Sequence, residues 1–252
     1  IGLIQISFSQ EIQCWGNNGA GQLNSPDGNF ISISAGYSNT CAIDESNQVH
    51  CWGYDFSGAS TPPSESFSMI SSGSYHTCGI LESGETQCWG YNEYGQADAP
   101  DGNFIALASG YLHTCGLKAN GEVECWGYTG NGESTPPENE LFTAISAGYS
   151  HTCGLKVNGE VECWGYVSDD VPSGTFISIN TGANGICGLR QSGVIECWGD
   201  ILFPFNPPSG VFTSIGTGVN AYHECAIDEL SILHCWGPEN SGEEIIPPND
   251  SF

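Results

Sequence analysis

Seven copies of the tripeptide Cys-Trp-Gly, beginning at Cys14, Cys51, Cys88, Cys125, Cys163, Cys197 and Cys235, divide the chain at spacings of 37, 37, 37, 38, 34 and 38 residues. Every tryptophan lies in one of these tripeptides. Six of the seven follow a second cysteine ten residues upstream: Cys41, Cys78, Cys115, Cys153, Cys187 and Cys225. Together these positions use all 13 cysteines of the chain. A period of this size marks a chain assembled from one supersecondary unit, which buries its apolar face only against its neighbours.

One clean unit runs from Phe104 to Pro137, FIALASGYLHTCGLKANGEVECWGYTGNGESTPP. An apolar run ends at Gly110, a second run leads into Ala119-Asn120-Gly121, and a third carries Cys-Trp-Gly into a polar Gly/Ser/Thr/Pro loop. Period-2 alternation between turn signals predicts three short strands per unit, and no helical period competes with it. The expected fold class is all-β, a closed propeller with seven blades of about three strands, the open alternative being a solenoid. The repeats fall at roughly 1–29, 30–66, 67–103, 104–141, 142–175, 176–211 and 212–252.

Hairpin register follows from the turn. A three-residue loop ending in a left-handed glycine at Gly121 sets Lys118 opposite Glu122, Leu117 opposite Val123, Gly116 opposite Glu124 and Cys115 opposite Cys125. Gly159, Gly193 and Gly84 repeat that geometry for Cys153–Cys163, Cys187–Cys197 and Cys78–Cys88, and Asn47 suits Cys41–Cys51. Before Cys235 the place is held by Ser231, so the turn closing Cys225–Cys235 is expected to differ. Opposed cysteines on adjacent strands meet disulfide geometry. Zinc is the competing reading, but zinc sites favour cysteines two to four residues apart and four converging ligands. Disulfides are therefore expected, no metal is, and the compartment is an oxidising one: secreted, extracellular or cell-surface. Cys14 has Ile4 at its template partner position and is expected to be a buried free thiol.

Composition narrows the function. Three basic and 29 acidic residues give a formal net charge of −26, which excludes a phosphate-binding nucleic-acid surface and an anionic membrane. No apolar run approaches the roughly 20 residues of a spanning helix, so no membrane insertion is expected. Seven Trp, ten Tyr and eleven Phe argue for a packed fold rather than a disordered chain. No nucleophile elbow, zinc-protease motif or phosphate loop is present. Lys118, Lys156 and Arg190 share one template position, with Lys118 expected to pair with Glu122 and Lys156 with Glu160. All the cations are thereby occupied, and neither catalysis nor a cofactor is expected.

The stretch AGYSHTCGLKVNGEVECWGY (147–166) resembles the repeat of the regulator of chromosome condensation family. The resemblance runs from residue 11 to 252. It implies a seven-bladed β-propeller, closer to the short-bladed bacterial relatives, which include a secreted propeller that inhibits β-lactamases. The nuclear members act on a small GTPase or chromatin and lack cysteine staples, so their activities do not carry over to a disulfide-laced acidic chain.

Four histidines, His76, His113, His151 and His223, precede the first cysteine of their units by two residues. A residue repeated at one template position is expected to bond the neighbouring blade rather than a metal. Two sets of residues remain as binding candidates. Tyr54, Tyr91, Tyr128 and Tyr166 follow Cys-Trp-Gly, while Tyr37, Tyr111 and Tyr149 follow the glycine that ends the first strand. These tyrosines either line a binding surface or pack between blades. The second set is the apolar loop Ile201, Leu202, Phe203, Pro204 and Phe205, an interface or a local plug. The ends of the chain are expected to share one blade. The apolar lead Ile1, Leu3, Ile4, Ile6 and Phe8 then fills that blade's missing strand, lends it to a neighbour, or is the remnant of a signal peptide. The expected role is a non-catalytic extracellular interaction module that self-associates through the incomplete blade or binds a protein partner; the alternative is a monomeric inhibitor or glycan binder using the tyrosines.

Overall fold

The computed structural model describes residues 12–167, 171–199, 206–219, 221 and 223–237. Six antiparallel three-stranded sheets follow one another within them. They comprise β1 (Phe30–Ala35), β2 (Asn39–Asp44) and β3 (Val49–Gly53); β4 (Phe67–Ser72), β5 (His76–Leu81) and β6 (Thr86–Gly90); and β7 (Phe104–Ser109), β8 (His113–Lys118) and β9 (Val123–Gly127). The series continues with β10 (Phe142–Ala147), β11 (His151–Lys156) and β12 (Val161–Gly165); β13 (Ser178–Thr181), β14 (Gly185–Leu189) and β15 (Ile195–Gly199); and β16 (Phe212–Gly216), β17 (Glu224–Asp228) and β18 (Leu233–Trp236). Strand order equals chain order in each sheet, so each blade is a meander. A cavity of about 240 Å3 is lined by residues of β1, β4, β7, β10 and β13 and by Thr217 and Val219 just after β16. The first strands therefore surround an axis and the third strands lie outermost, which is the β-propeller arrangement.

The register is the one the turns dictate. Cys115 lies opposite Cys125, Gly116 opposite Glu124 and Leu117 opposite Val123. All six cysteine pairs are disulfides, with Cα–Cα distances of 4.0–4.1 Å. The last turn does not differ from the others. Ser231 takes a left-handed φ of 62°, like Asn47 at 62°. The Asp228 carboxylate holds it there by accepting the Leu230 and Ile232 N–H groups, which offsets the cost of left-handed backbone at a residue other than glycine.

The core lies between blades. Cys115 and Leu117 of one blade pack against Phe142 and Trp164 of the next, and Cys78 and Ile80 against Phe104 and Trp126. Within a blade Phe104 lies over Gly116, where a Cβ would stand 2.4 Å from the ring.

Two polar side chains clamp four of the joints. The Trp126 indole N–H and the Thr114 hydroxyl both donate to the Gln96 carbonyl, at 3.0 and 3.1 Å. Gln96 sits in the loop that follows the preceding Cys-Trp-Gly, and Gln22, Ala59 and Glu133 receive their blades' Trp and Thr in the same way. Since Thr114 spends its one hydrogen on that carbonyl, His76 Nε2 must donate to Thr114 Oγ1 (2.7 Å). His113 and Thr152 repeat the contact at 2.8 Å. His76 and His113 thus bond the neighbouring blade, as their template position suggests, whereas His151 Nε2 is buried with no hydrogen-bond partner among the described residues. Thr114→Val removes two buried hydrogen bonds and should cost about 2–4 kcal/mol. Urea denaturation measures it, and a cost below about 0.5 kcal/mol would discount the clamp.

The first Cys-Trp-Gly completes the circle. Trp15 packs with Cys225 and Leu233 of the last described sheet, while Ile12 and Cys14 pack against Phe30, Ala42 and Trp52 of the first. Gly16, with φ 105°, matches the glycines that end the third strands, such as Gly53 at 101° and Gly90 at 102°. Cys14 is a free thiol, half-buried, and burial pushes its pKa up to about 11.

Candidate functional site: an aromatic face

Topology decides which residues can share a surface. The turn between first and second strands and the exit from the third strand lie at the same end of every blade, because the strands alternate in direction. Cys-Trp-Gly makes that exit tight. Gly127, for example, has a φ of 94°, and a Cβ there would meet the Leu112 carbonyl oxygen at 2.7 Å and Gln96 Cα at 3.0 Å. The next residue is consequently thrown onto the surface, its N–H held by the facing turn: Tyr54 to the Ser38 carbonyl, Tyr91 to Tyr75, Tyr128 to Leu112 and Tyr166 to Ser150.

The tyrosines of both template positions meet there. Tyr37 contacts Tyr75 edge-on (6.2 Å), Tyr75 contacts Tyr111 (5.6 Å), and Tyr111 stacks on Tyr149 at 4.1 Å. Further from the axis, Tyr54 stacks on Phe56, and Phe56 touches both Tyr75 and Tyr91. Tyr94 bridges Tyr91 and Tyr128 at 6.3 and 5.1 Å. Nine rings from four blades form one connected network. Tyr37, Tyr94 and Tyr128 are 45%, 47% and 38% exposed, so the rings cover a surface instead of filling the joints. Tyr166 is exposed too, with no ring contact among the described residues.

Sequence reasoning missed three members. Tyr75 stands one residue later than Tyr37 does in its unit, and Phe56 and Tyr94 lie inside the following loops. An aromatic in each of two successive loops was the available signal.

Carboxylates border the rings. The Tyr91 hydroxyl donates to Glu93 Oε2 at 2.7 Å, and that carboxylate pushes the phenol up to about 12. Asp55 and Asp98 tie their loops through Ser60, Thr61 and Asn92. Under the face, burial draws His76, His113 and His151 down to about 4, 3 and 4, leaving them uncharged near neutrality.

All Lys and Arg residues stand at the opposite end, in the hairpins. Their pairing corrects the expected one. Lys118 bonds Glu124 (2.7 Å) rather than Glu122, Lys156 bonds Glu162 and Glu140 rather than Glu160, and Arg190 bonds Glu196. Hairpin twist swings the long side chain to the diagonal carboxylate, within reach of such residues, and Glu122 stays beside the turn. Asp44–His50 and Asp228–His234 put the acid on the other strand of the same diagonal.

The axial cavity is lined by hydroxyls and small apolar groups: Ser34 accepts the Ser72 N–H, Ser71 that of Ser109, and Ser146 that of Thr181. No group of three or more His, Cys, Asp or Glu that could hold a metal occurs among the described residues. The residues Ile1, Leu3, Ile4, Ile6, Phe8 and Ile201–Phe205 lie outside the described residues.

The comparisons agree with the geometry. The family model for the regulator of chromosome condensation (RCC1) repeat matches residues 30–59, 70–96, 104–133 and 142–169. Among curated proteins none matches the sequence. The chain is similar to the ectodomain of the Arabidopsis thaliana receptor kinase ACR4 (27% identity, TM-score 0.82, 97% of this chain and 93% of that one). It is also similar to the ectodomain of the Physcomitrella patens receptor kinase CR4 (28%, TM-score 0.81, 93% and 69%). Prp20 from Saccharomyces cerevisiae shares the fold (20%, TM-score 0.67, 82% and 72%). Four successive blades therefore carry regulator of chromosome condensation (RCC1) repeats, and the chain as a whole has the propeller fold of these neighbours.

Proposed function

We propose that this propeller is a non-catalytic, extracellular interaction module and that the aromatic face receives a protein partner. The observation that carries the reading is the connected network of nine rings on one end of the blades. Contiguous exposed aromatic surface of this kind marks interaction sites, and tyrosine supplies large contact area at low entropic cost. Two further observations support it. The six disulfides suit an oxidising compartment, and the two receptor-kinase propellers are themselves ectodomains. Packing of Trp15, Ile12 and Cys14 between the last and first sheets favours a ring filled from within the chain over one completed by a neighbour's strand.

A photo-crosslinking residue placed at Tyr94 tests the reading, with Leu230 as control. Leu230 is 77% exposed on the opposite, hairpin end. In extracellular material from the source organism, position 94 should yield a discrete protein adduct several-fold above position 230. Equal yields, or none, would remove the aromatic face as the binding surface.

A further inference from the structure

The charge around the aromatic face says what kind of partner it fits. The chain holds only three Lys and Arg residues, and Lys118, Lys156 and Arg190 all lie at the hairpin end, each bonded to glutamate. The aromatic face therefore has no cationic side chain of its own. Its histidines are buried beneath the rings and uncharged near neutrality. Its charged groups are carboxylates, with Glu93 bonded to a ring of the network and Asp55 and Asp98 in the flanking loops. Ring faces attract cations through their quadrupoles, most strongly where the cation is desolvated, and a formal net charge of −26 steers cations toward the surface.

We propose that the segment seated on the aromatic face is a cationic peptide, rich in arginine and lysine, whose side chains lie over Tyr75, Tyr91, Tyr94 and Tyr111. This rests on the aromatic face being the binding surface and adds the chemistry of the occupant. A neutral glycan would use the rings without the carboxylates. An acidic partner would meet Glu93, Asp55 and Asp98 with no compensating cation.

The test uses labelled dodecapeptides alternating glycine with arginine, glutamine or glutamate, and chitohexaose as the glycan probe, followed by fluorescence anisotropy or calorimetry. The protein is compared with Tyr75→Ala/Tyr94→Ala/Tyr111→Ala and with Glu122→Gln/Glu160→Gln on the hairpin end. Far-UV circular dichroism verifies folding, and Tyr94→Ala alone serves if the triple variant does not fold. The arginine peptide should bind, lose at least about tenfold in affinity with the triple variant, lose less than about twofold with the glutamate pair, and compete for the adduct at position 94. Equal losses in both variants would mean diffuse attraction to a polyanion and would overturn the proposal. Tyrosine-dependent binding of the glutamine peptide or of chitohexaose in place of the arginine peptide would overturn it as well. An adduct at position 94 that the arginine peptide does not displace sinks the cationic occupant alone, whereas no adduct at all sinks the binding face.

Discussion

Once its disulfides are reduced, the chain should fail to refold. Each bridge closes a loop of ten residues, worth about 2.7 kcal/mol in the chain-entropy relation. Six together approach roughly 16 kcal/mol, against the 5–15 kcal/mol of net stability usual for a folded domain. Blade hairpins this short hold little core of their own, since the apolar clusters lie between blades. In native buffer a thiol reductant should do almost nothing, because the first cysteine of each pair is 0–1% exposed. Cys14, with its raised pKa, should alkylate slowly. In denaturant all thirteen thiols become accessible, and after reduction the chain should remain unfolded when the denaturant is removed. Mass spectrometry of alkylated protein and far-UV circular dichroism give the result. Recovery of native spectra by the fully reduced chain would refute it. The single-bridge variant Cys115→Ser/Cys125→Ser should lose about 2–4 kcal/mol.

Stability should peak near pH 6.5, with two limbs of different origin. His76, His113 and His151 are held at about 4, 3 and 4 by burial. Below about pH 6.5 the unfolded chain takes up protons that the folded chain refuses, so stability falls with acid at up to about 1.4 kcal/mol per unit for each histidine. The alkaline limb belongs to Glu224. It occupies the position of Thr40, Thr77, Thr114 and Thr152, is 1% exposed, and its Oε2 has no hydrogen-bond partner among the described residues. Gly185, where a histidine stands in four other blades, gives it no donor. Burial raises its pKa from 4.5 to about 8. Its protonated form is favoured in the fold, so stability is undiminished below pH 4.5 and is lost as pH rises through 8, to a limit of roughly 5 kcal/mol. Between 4.5 and 6.5 the three histidines outweigh the single glutamate, which places the maximum near 6.5. Glu224→Gln should flatten the alkaline limb and leave the acid limb intact. Urea midpoints across pH measure both, and an unchanged alkaline limb in the variant would clear Glu224.

The parts legible in the sequence were those set by counting along the backbone. A left-handed residue closing each hairpin decides which cysteines face each other, so Cys115–Cys125 could be paired before any coordinates. The clamp was not legible. Its acceptor is a main-chain carbonyl, at Gln96, Ala59, Gln22 or Glu133, and no side-chain pattern announces a carbonyl. Lys118–Glu124 was missed because counting gives the directly opposed residue, while twist favours the diagonal one. Ser231 was expected to break the pattern on propensity alone, yet Asp228 supplies the hydrogen bonds that keep the turn. The tyrosines at template positions were found together on one face, whereas Tyr75, Phe56 and Tyr94 joined them from off-template positions.

The contact of Trp15 with Cys225 and Leu233 has a kinetic meaning. Every other joint in the ring links units adjacent in the chain, and such local contacts form early and quickly. This one brings together residues from near the two ends of the described sequence, and its loop-closure entropy exceeds that of any blade. An arc of stacked blades with two raw edges should therefore accumulate first, and the meeting of those edges should set the overall folding time. Oxidation within hairpins precedes that step without hastening it, so a chain with all six bridges formed is still one slow encounter away from being a propeller.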